Sequence, residues 1–210
     1  ALSKTPLELL LPPELGQVLE QAYRNIGIQW QLETTIEKIT SLPDESLQID
    51  LANKQSLQAD LLISAIGLKP DIQLAQQTGI NTNKGIMVDE YLRTDVSDIY
   101  ALGDCAEVKN LVMVYVAPLV LSARALAKTL TGHLTAVSYP PMPVILKTPA
   151  CPIVTNPPLP KVAGSWQFQG ENFDQKGLYY DEVKNLCGFA LTGHCVNEKM
   201  DLVQLLPNYF

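Results

Sequence analysis

The spacing of apolar residues along the first seventy residues predicts one helix followed by a series of strands. After Pro12, apolar side chains recur at helical spacing as far as Ile26, and Gly27 is placed to end that helix in the left-handed conformation. The residues from 61 to 66 form a nearly continuous apolar run, which is typical of a strand covered on both faces in an α/β sheet. Strands are predicted at residues 28–32, 36–39, 47–51, 57–59 and 61–66.

The middle of the chain predicts two further strands and a long helix. The strands lie at residues 86–88 and 99–102, and the second closes at Gly103-Asp104. The helix opens at Ala117-Pro118 with Pro118 at its first position, and Gly132 ends it. Its predicted buried face consists of Leu119, Ala123, Leu126, Ala127 and Leu130.

The last seventy residues predict a small α+β domain behind a proline-rich connector. Residues 139–160 hold eight of the 15 prolines, which excludes a regular helix and favours an extended segment. Alternating apolar residues at 165–168, 178–181 and 186–191 predict antiparallel strands, and a short helix follows near Asn197.

Composition limits the classes of function. With 47% hydrophobic and 18% charged residues, the chain of 210 residues predicts a folded globular protein. The net charge of −7 argues against a nucleic-acid partner. The longest apolar run, residues 111–121, contains Pro118 and is too short to cross a bilayer, so no membrane span is predicted.

The charge is distributed unevenly. No Asp or Glu occurs between Val108 and Gly170, whereas that stretch carries five cations. Such a basic zone predicts a site for an anionic ligand or an acidic partner, although chance clustering of solvated lysines explains it equally well. The five cations are Lys109, Arg124, Lys128, Lys147 and Lys161.

The cysteines predict neither a metal site nor a disulfide framework. Cys105, Cys151, Cys187 and Cys195 include no pair at the spacing of a structural zinc site. They are better explained as free, partly buried thiols of a cytoplasmic protein.

The chemistry-bearing feature is Gly103-Asp104 at the end of a predicted strand. Glycine permits close approach of a ligand to the backbone, and a carboxylate there can accept hydrogen bonds from sugar or polyol hydroxyls. The helix that opens at Ala117-Pro118 would direct its free N–H groups to the same place. The alternative is that Asp104 is an ordinary turn or cap residue.

Two motifs resemble the pyridine nucleotide–disulfide oxidoreductase superfamily. Thr94 with residues 98–106 (DIYALGDCA) resembles its second FAD motif, and residues 65–70 (AIGLKP) resemble the junction where the NAD domain returns to the FAD domain. Within the superfamily the chain is similar to the rubredoxin–NAD reductases. That similarity lies in residues 10–13 (LLPP), 100–108 (YALGDCAEV), 115–119 (YVAPL), 123–127 (ARALA) and 147–152 (KTPACP).

The resemblance implies an α/β fold, part of a two-dinucleotide-binding-domain (FAD/NAD) flavoprotein, plus an α+β C-terminal domain. Residues 1–70 would be the second half of the NAD-binding domain, residues 71–138 the C-terminal segment of the FAD-binding domain, and residues 139–210 the small C-terminal domain. The implied cofactors are FAD and NAD, and the implied activity passes electrons from NADH to rubredoxin, for alkane hydroxylation. The alternatives are an NADH reductase for a flavorubredoxin or ferredoxin and a non-catalytic redox-sensing flavoprotein.

The resemblance also implies roles for three residues and none for a catalytic side chain or metal ligand. Asp104 would bind the ribityl chain of FAD, the backbone around Val116 would lie at the isoalloxazine end, and Lys147 would lie close to the flavin. No two glycines are spaced G-x-G, so both dinucleotide fingerprints of the family are missing. We expect them upstream, in a longer polypeptide.

Overall fold

The computed structural model describes residues 1–210 and contains helices α1–α4 and strands β1–β11. Its contacts divide the chain into two compact units, residues 1–64 with 143–207, and residues 65–142 with 208–210. The helices are α1 (Pro13–Arg24), α2 (Gln73–Gln77), α3 (Val116–Leu130) and α4 (Lys199–Leu205). The strands are β1 (Ile36–Ser41), β2 (Leu47–Leu51), β3 (Ser56–Ala59), β4 (Ile86–Val88), β5 (Ala106–Val108), β6 (Leu111–Val112), β7 (Val144–Leu146), β8 (Ile153–Asn156), β9 (Gly164–Glu171), β10 (Asp174–Asp181) and β11 (Leu186–Thr192).

The first unit contains two antiparallel sheets, ordered β1-β2-β3 and β7-β8-β11-β10-β9. Successive residues of β11 point to opposite faces of the larger sheet, as the pleat requires. Ala190 packs in a cluster with Leu15 and Leu19 of α1, whereas Phe189 packs in a second cluster with Leu202 of α4. The five-stranded sheet is therefore covered on both faces by helices of the same unit.

The end of α1 follows from its glycine. The Gly27 N–H donates to the Arg24 carbonyl at 3.0 Å, and the Ile28 N–H donates to the Tyr23 carbonyl at 3.0 Å. These two bonds are the Schellman pair, and they require the left-handed φ of +90° that Gly27 adopts. The predicted role of Gly27 is confirmed.

The second unit is built on the small sheet β4-β5-β6, in which β4 and β5 are parallel and β5 and β6 antiparallel. Its core lies between this sheet, α3 and the start of the proline-rich connector. The buried members of that core are Leu92, Val108, Ala125, Leu126, Val137 and Tyr139.

Most of the predicted strands are confirmed. The structure has strands at the predicted positions in β1, β2, β3, β4, β9, β10 and β11. The proline-rich connector contains no helix, as predicted, and two of its segments form β7 and β8. The predicted short helix near Asn197 is present as a 3-10 turn, Gly193–Glu198, followed by α4.

Three predicted strands are wrong. Residues 28–32 and 61–66 form no strand, and residues 99–102 contribute only an isolated bridge between Arg93 and Tyr100. A strand exists only where a neighbour completes its backbone hydrogen bonds, and no strand of this chain pairs with these segments. The apolar side chains of residues 61–66 are consequently uncovered, and Ile66 is 97% exposed.

The helix α3 differs from its prediction in two respects. It begins at Val116, which makes Pro118 its third residue instead of its first. Its buried residues are Pro118, Ser122, Ala125 and Leu126, so Leu126 alone belongs to the predicted face. The helix is apolar around most of its circumference, so that its spacing does not select one face, and tertiary contacts decide which side is buried.

Candidate cofactor site

The Gly103-Asp104 loop lies against the first turns of α3. Residues Gly103–Cys105 form a 3-10 turn, and Gly103 has a left-handed φ of +80°. A Cβ added to Gly103 would lie 2.9 Å from Cδ1 of Leu119, closer than real Cβ contacts allow. The left-handed backbone therefore favours glycine at this position, whereas the contact with the end of the flexible Leu119 side chain could be relieved by a shift of that side chain.

The Asp104 carboxylate is exposed and has no partner in the chain. It accepts no hydrogen bond from a backbone or side-chain donor, and it forms no ion pair. The 3-10 turn has no side-chain cap. The carboxylate is therefore free to accept hydrogen bonds from a ligand.

The N-terminus of α3 adds uncapped backbone donors. Tyr115 precedes the helix in an extended conformation without a side-chain cap, and Val116 is the first helical residue, 75% exposed. The first N–H groups of a helix have no acceptor within it and carry partial positive charge. Pro118 lacks an N–H, so Val116 and Ala117 supply the donors of the first turn that precede it.

A buried carboxylate holds the strand that follows Asp104. Glu107, in the middle of β5, is 3% exposed. Its two oxygens accept hydrogen bonds from Nδ2 of Asn83 and from the Gly85 N–H, both at 2.9 Å. A Cβ on Gly85 would lie 2.8 Å from the Cys105 carbonyl oxygen. Glu107 thus joins the turn before β4 to the end of the Asp104 loop.

We expect Glu107→Gln to destabilise the second unit. An amide is uncharged and has one acceptor oxygen, so the bonds from the buried Gly85 N–H and from the exposed Asn83 side chain can no longer both be charge-assisted, at a cost of about 1 kcal/mol. Chemical unfolding would measure the loss, with Glu37→Gln as the control, because Glu37 is exposed on β1. Equal stability of the two variants would contradict this role.

Lys147 belongs to the first unit, directly after β7. Its side chain is exposed and forms no ion pair or hydrogen bond. The following turn is fixed by bonds between Thr148 and Cys151, including that of the Cys151 N–H to the Thr148 carbonyl at 3.1 Å. Burial raises the pKa of the Cys151 thiol, with a smaller opposing effect from a hydrogen bond of the Gly193 backbone and a further rise from the charge of Asp174. The Lys147 ammonium is therefore exposed directly before a hydrogen-bonded turn.

The structure brings two of the three predicted site residues together. Asp104 and Val116 belong to one unit, where the 3-10 turn contacts α3. Lys147 belongs to the other unit. Sequence reasoning missed Glu107 and the buried pair Ser122 and Tyr139. An acidic residue inside the apolar run 106–108 was the available signal for Glu107.

These residues fit FAD. An unpartnered carboxylate beside a glycine suits the hydroxyls of a ribityl chain, and an uncapped helix N-terminus suits electron-rich atoms of a flavin ring. No group of three or more His, Cys, Asp or Glu side chains is placed to hold a metal ion. No helix of the chain has the length and apolar character needed to cross a membrane.

Comparison with known proteins assigns the chain first to a class, the pyridine-nucleotide-dependent oxidoreductases. Residues 3–122 match the family model of the pyridine nucleotide-disulphide oxidoreductases, and residues 136–206 match the model of the rubredoxin binding C-terminal domain. The chain belongs to the pyridine nucleotide-disulphide oxidoreductase family. The predicted superfamily and fold class are confirmed.

Individual relatives agree with this assignment. The chain is 43% identical to a rubredoxin-NAD(+) reductase of Alcanivorax borkumensis over 96% of its length and 53% of the relative. It is 36% identical to a nitric oxide reductase FlRd-NAD(+) reductase of Aeromonas salmonicida over 98% of its length and 53% of the relative. The crystal structure of a covalent putidaredoxin reductase–putidaredoxin complex shares the fold, with a TM-score of 0.84 at 20% identity, over 98% of this chain and 52% of that one. The chain thus spans about half the length of the curated relatives it matches.

Proposed function

We propose that the full-length protein is an FAD-dependent NADH:rubredoxin oxidoreductase. The observation that supports this most is the order of the two family matches, an oxidoreductase segment over residues 3–122 followed by a rubredoxin binding domain over residues 136–206. The domain division at residues 70 and 138 belongs to the same proposal. The chain passes from one compact unit to the other after residue 64 and again after residue 142. These positions lie close to the proposed domain boundaries at residues 70 and 138 and support them.

The proposed residues divide the work of holding the cofactor. Bound FAD would supply the redox chemistry, taking two electrons from NADH and passing them singly to two acceptor molecules, with release of NAD⁺ and a proton. The Asp104 carboxylate would accept a hydrogen bond from a ribityl hydroxyl. The N–H groups at Val116 would stabilise negative charge on the ring, and the Lys147 ammonium would add to that stabilisation.

The alternative acceptor is a flavorubredoxin. The similarity to a nitric oxide reductase FlRd-NAD(+) reductase, at 36% identity, favours it as the second candidate. Stopped-flow mixing of the NADH-reduced full-length protein with rubredoxin, flavorubredoxin and ferredoxin separates these acceptors. We expect the fastest oxidation with rubredoxin. Oxidation by none of them, with retained NADH-dependent spectral changes, would favour a redox sensor.

We propose a cytoplasmic location and a role in alkane hydroxylation for the full-length protein. NADH is a cytoplasmic reductant, which supports the location, and the pathway follows from the resemblance to the rubredoxin–NAD reductases. Reconstitution with rubredoxin and an alkane hydroxylase tests the pathway. NADH consumption without alcohol formation would exclude it.

The 210-residue chain by itself is expected not to hold FAD tightly. It offers a ribityl acceptor but no glycine-rich loop for the pyrophosphate, which carries much of dinucleotide recognition. Its exposed apolar segment 61–66 also predicts association in solution. Size-exclusion chromatography with absorbance at 280 and about 450 nm measures both properties. A yellow, monodisperse monomer with stoichiometric FAD would contradict this prediction.

A further inference from the structure

We propose that Phe210 is a positioning residue for the candidate FAD site, an inference that rests on the proposed function. Phe210 and Tyr209 lie beyond residue 206, outside both family matches. Both pack against the core of the second unit. Phe210 there contacts two elements that flank the candidate site, the proline-rich connector beneath α3 and the hairpin that follows Asp104.

The first contact is with Tyr139. The two rings meet edge to face with centroids 4.9 Å apart. The Tyr209 N–H donates to the Tyr139 carbonyl at 2.8 Å, and the Tyr139 N–H donates to the Phe210 carbonyl at 3.3 Å. The Ser138 hydroxyl donates to the same Phe210 carbonyl at 3.2 Å. Residues 209–210 are therefore held beside residues 138–139 by three hydrogen bonds and one ring contact.

Tyr139 transmits this contact to the helix that begins at the site. It is 4% exposed, and its hydroxyl lies 2.6 Å from the hydroxyl of Ser122, which is 1% exposed on the inner face of α3. Tyr139 and Ser122 also line one small cavity together with Gly103 and Pro118. Tyr139 thus lines a cavity that the Asp104 loop and the first turns of α3 also line.

The second contact is with Lys109. Its ammonium lies over the Phe210 ring, 5.1 Å from the centroid, which is within the range of a cation–π interaction. Lys109 and Asn110 both adopt left-handed φ values and form the tight turn between β5 and β6. Only β5 separates this turn from the 3-10 turn that carries Asp104.

Phe210 therefore fixes the position of two elements that the candidate site needs. If its ring is removed, the hairpin turn and the Tyr139–Ser122 pair lose a common support. The Asp104 carboxylate and the N-terminus of α3 then sample a wider range of separations. A cofactor that contacts both must order them on binding, which weakens its affinity.

The test compares FAD binding by full-length apoproteins. The dissociation constant is measured by flavin fluorescence at about 10 °C, where circular dichroism verifies that each apoprotein is folded. For Phe210→Ala we expect an increase of about tenfold and an altered visible spectrum of bound flavin, whereas Phe210→Tyr should restore both. The matched control is Asn208→Ala, because Asn208 is exposed in the same segment.

Two variants that each remove a single contact test the same role if Phe210→Ala does not fold. Lys109→Met removes only the cation–π contact, and Tyr139→Phe removes only the hydroxyl that pairs with Ser122. Each should raise the dissociation constant about two- to threefold. A dissociation constant within 1.5-fold of wild type (roughly 0.2 kcal/mol) in every folded variant would overturn the positioning role. Failure of the wild-type protein to bind FAD would instead overturn the proposed function.

Discussion

Asp104→Ala in the full-length protein is expected to weaken FAD binding by about 5- to 150-fold. The exposed carboxylate has no partner in the chain, so a bound ribityl hydroxyl would be its principal hydrogen-bond donor. Removing a charged acceptor from such a bond costs about 1–3 kcal/mol, and each 1.4 kcal/mol changes a dissociation constant tenfold. Fluorescence titration of the apoprotein with FAD measures the effect.

Two control variants isolate the hydrogen bond. Asp104→Asn keeps an acceptor oxygen without the charge, so its dissociation constant should fall between those of wild type and Asp104→Ala. Asp60→Ala removes a carboxylate that is exposed and forms no hydrogen bond, and it should leave binding unchanged. If Asp104 is an ordinary turn residue, the opposite result is expected. Flavin occupancy and the thermal stability of the holoprotein would then be the same in Asp104→Ala and wild type.

Local chemistry explains which parts of the fold could be predicted from sequence. The polar pairs Asn53-Lys54 and Lys184-Asn185 predict turns between strands. In the structure these turns join neighbouring strands, and Lys54 and Lys184 adopt left-handed φ values. Gly27 and Gly132 end α1 and α3 by the same backbone geometry. Each of these features depends on a few consecutive residues, so their sequence patterns are sufficient.

The errors arise where distant residues decide the structure. The apolar run 61–66 has the composition of a buried strand, but strand formation needs a neighbour that this chain does not provide. Ser122 is polar and was not expected inside, yet it is buried because the Tyr139 hydroxyl bonds to it. Pairings over such separations leave no periodic signal in a single sequence.

The candidate site shows the same difference between features set by consecutive residues and features set by distant ones. Asp104 and Val116 could be proposed from a motif of consecutive residues. The partners of Glu107 and Phe210 could not, because they lie more than twenty residues away along the chain. What supports the site is therefore visible only in the structure, whereas the groups that would touch the cofactor are visible in the sequence.

Lys147→Met in the full-length protein is expected to lower the two-electron reduction potential of bound FAD and to slow hydride transfer from NADH. A nearby ammonium stabilises the anionic reduced ring by about 1 kcal/mol, which corresponds to about 20 mV for two electrons. The exposed side chain has no carboxylate partner to neutralise it. The Thr148 N–H donates to the Leu146 carbonyl at 2.9 Å, which restricts the backbone of Lys147 between them. Spectroscopic redox titration measures the potential, and stopped-flow absorbance measures hydride transfer.

If Lys147 acts on the flavin, its positive charge is what raises the reduction potential. Lys147→Arg should then retain most of the potential, while Lys161→Met, which removes another exposed cation of the acid-free stretch, should not change it. The competing hypothesis places Lys147 on the surface that docks an acidic electron acceptor. It predicts an unchanged potential together with weaker rubredoxin binding, and the difference between wild type and Lys147→Met would shrink as added salt screens the charge. Measuring potential and affinity on the same variants therefore assigns Lys147 to the flavin site or to the docking surface.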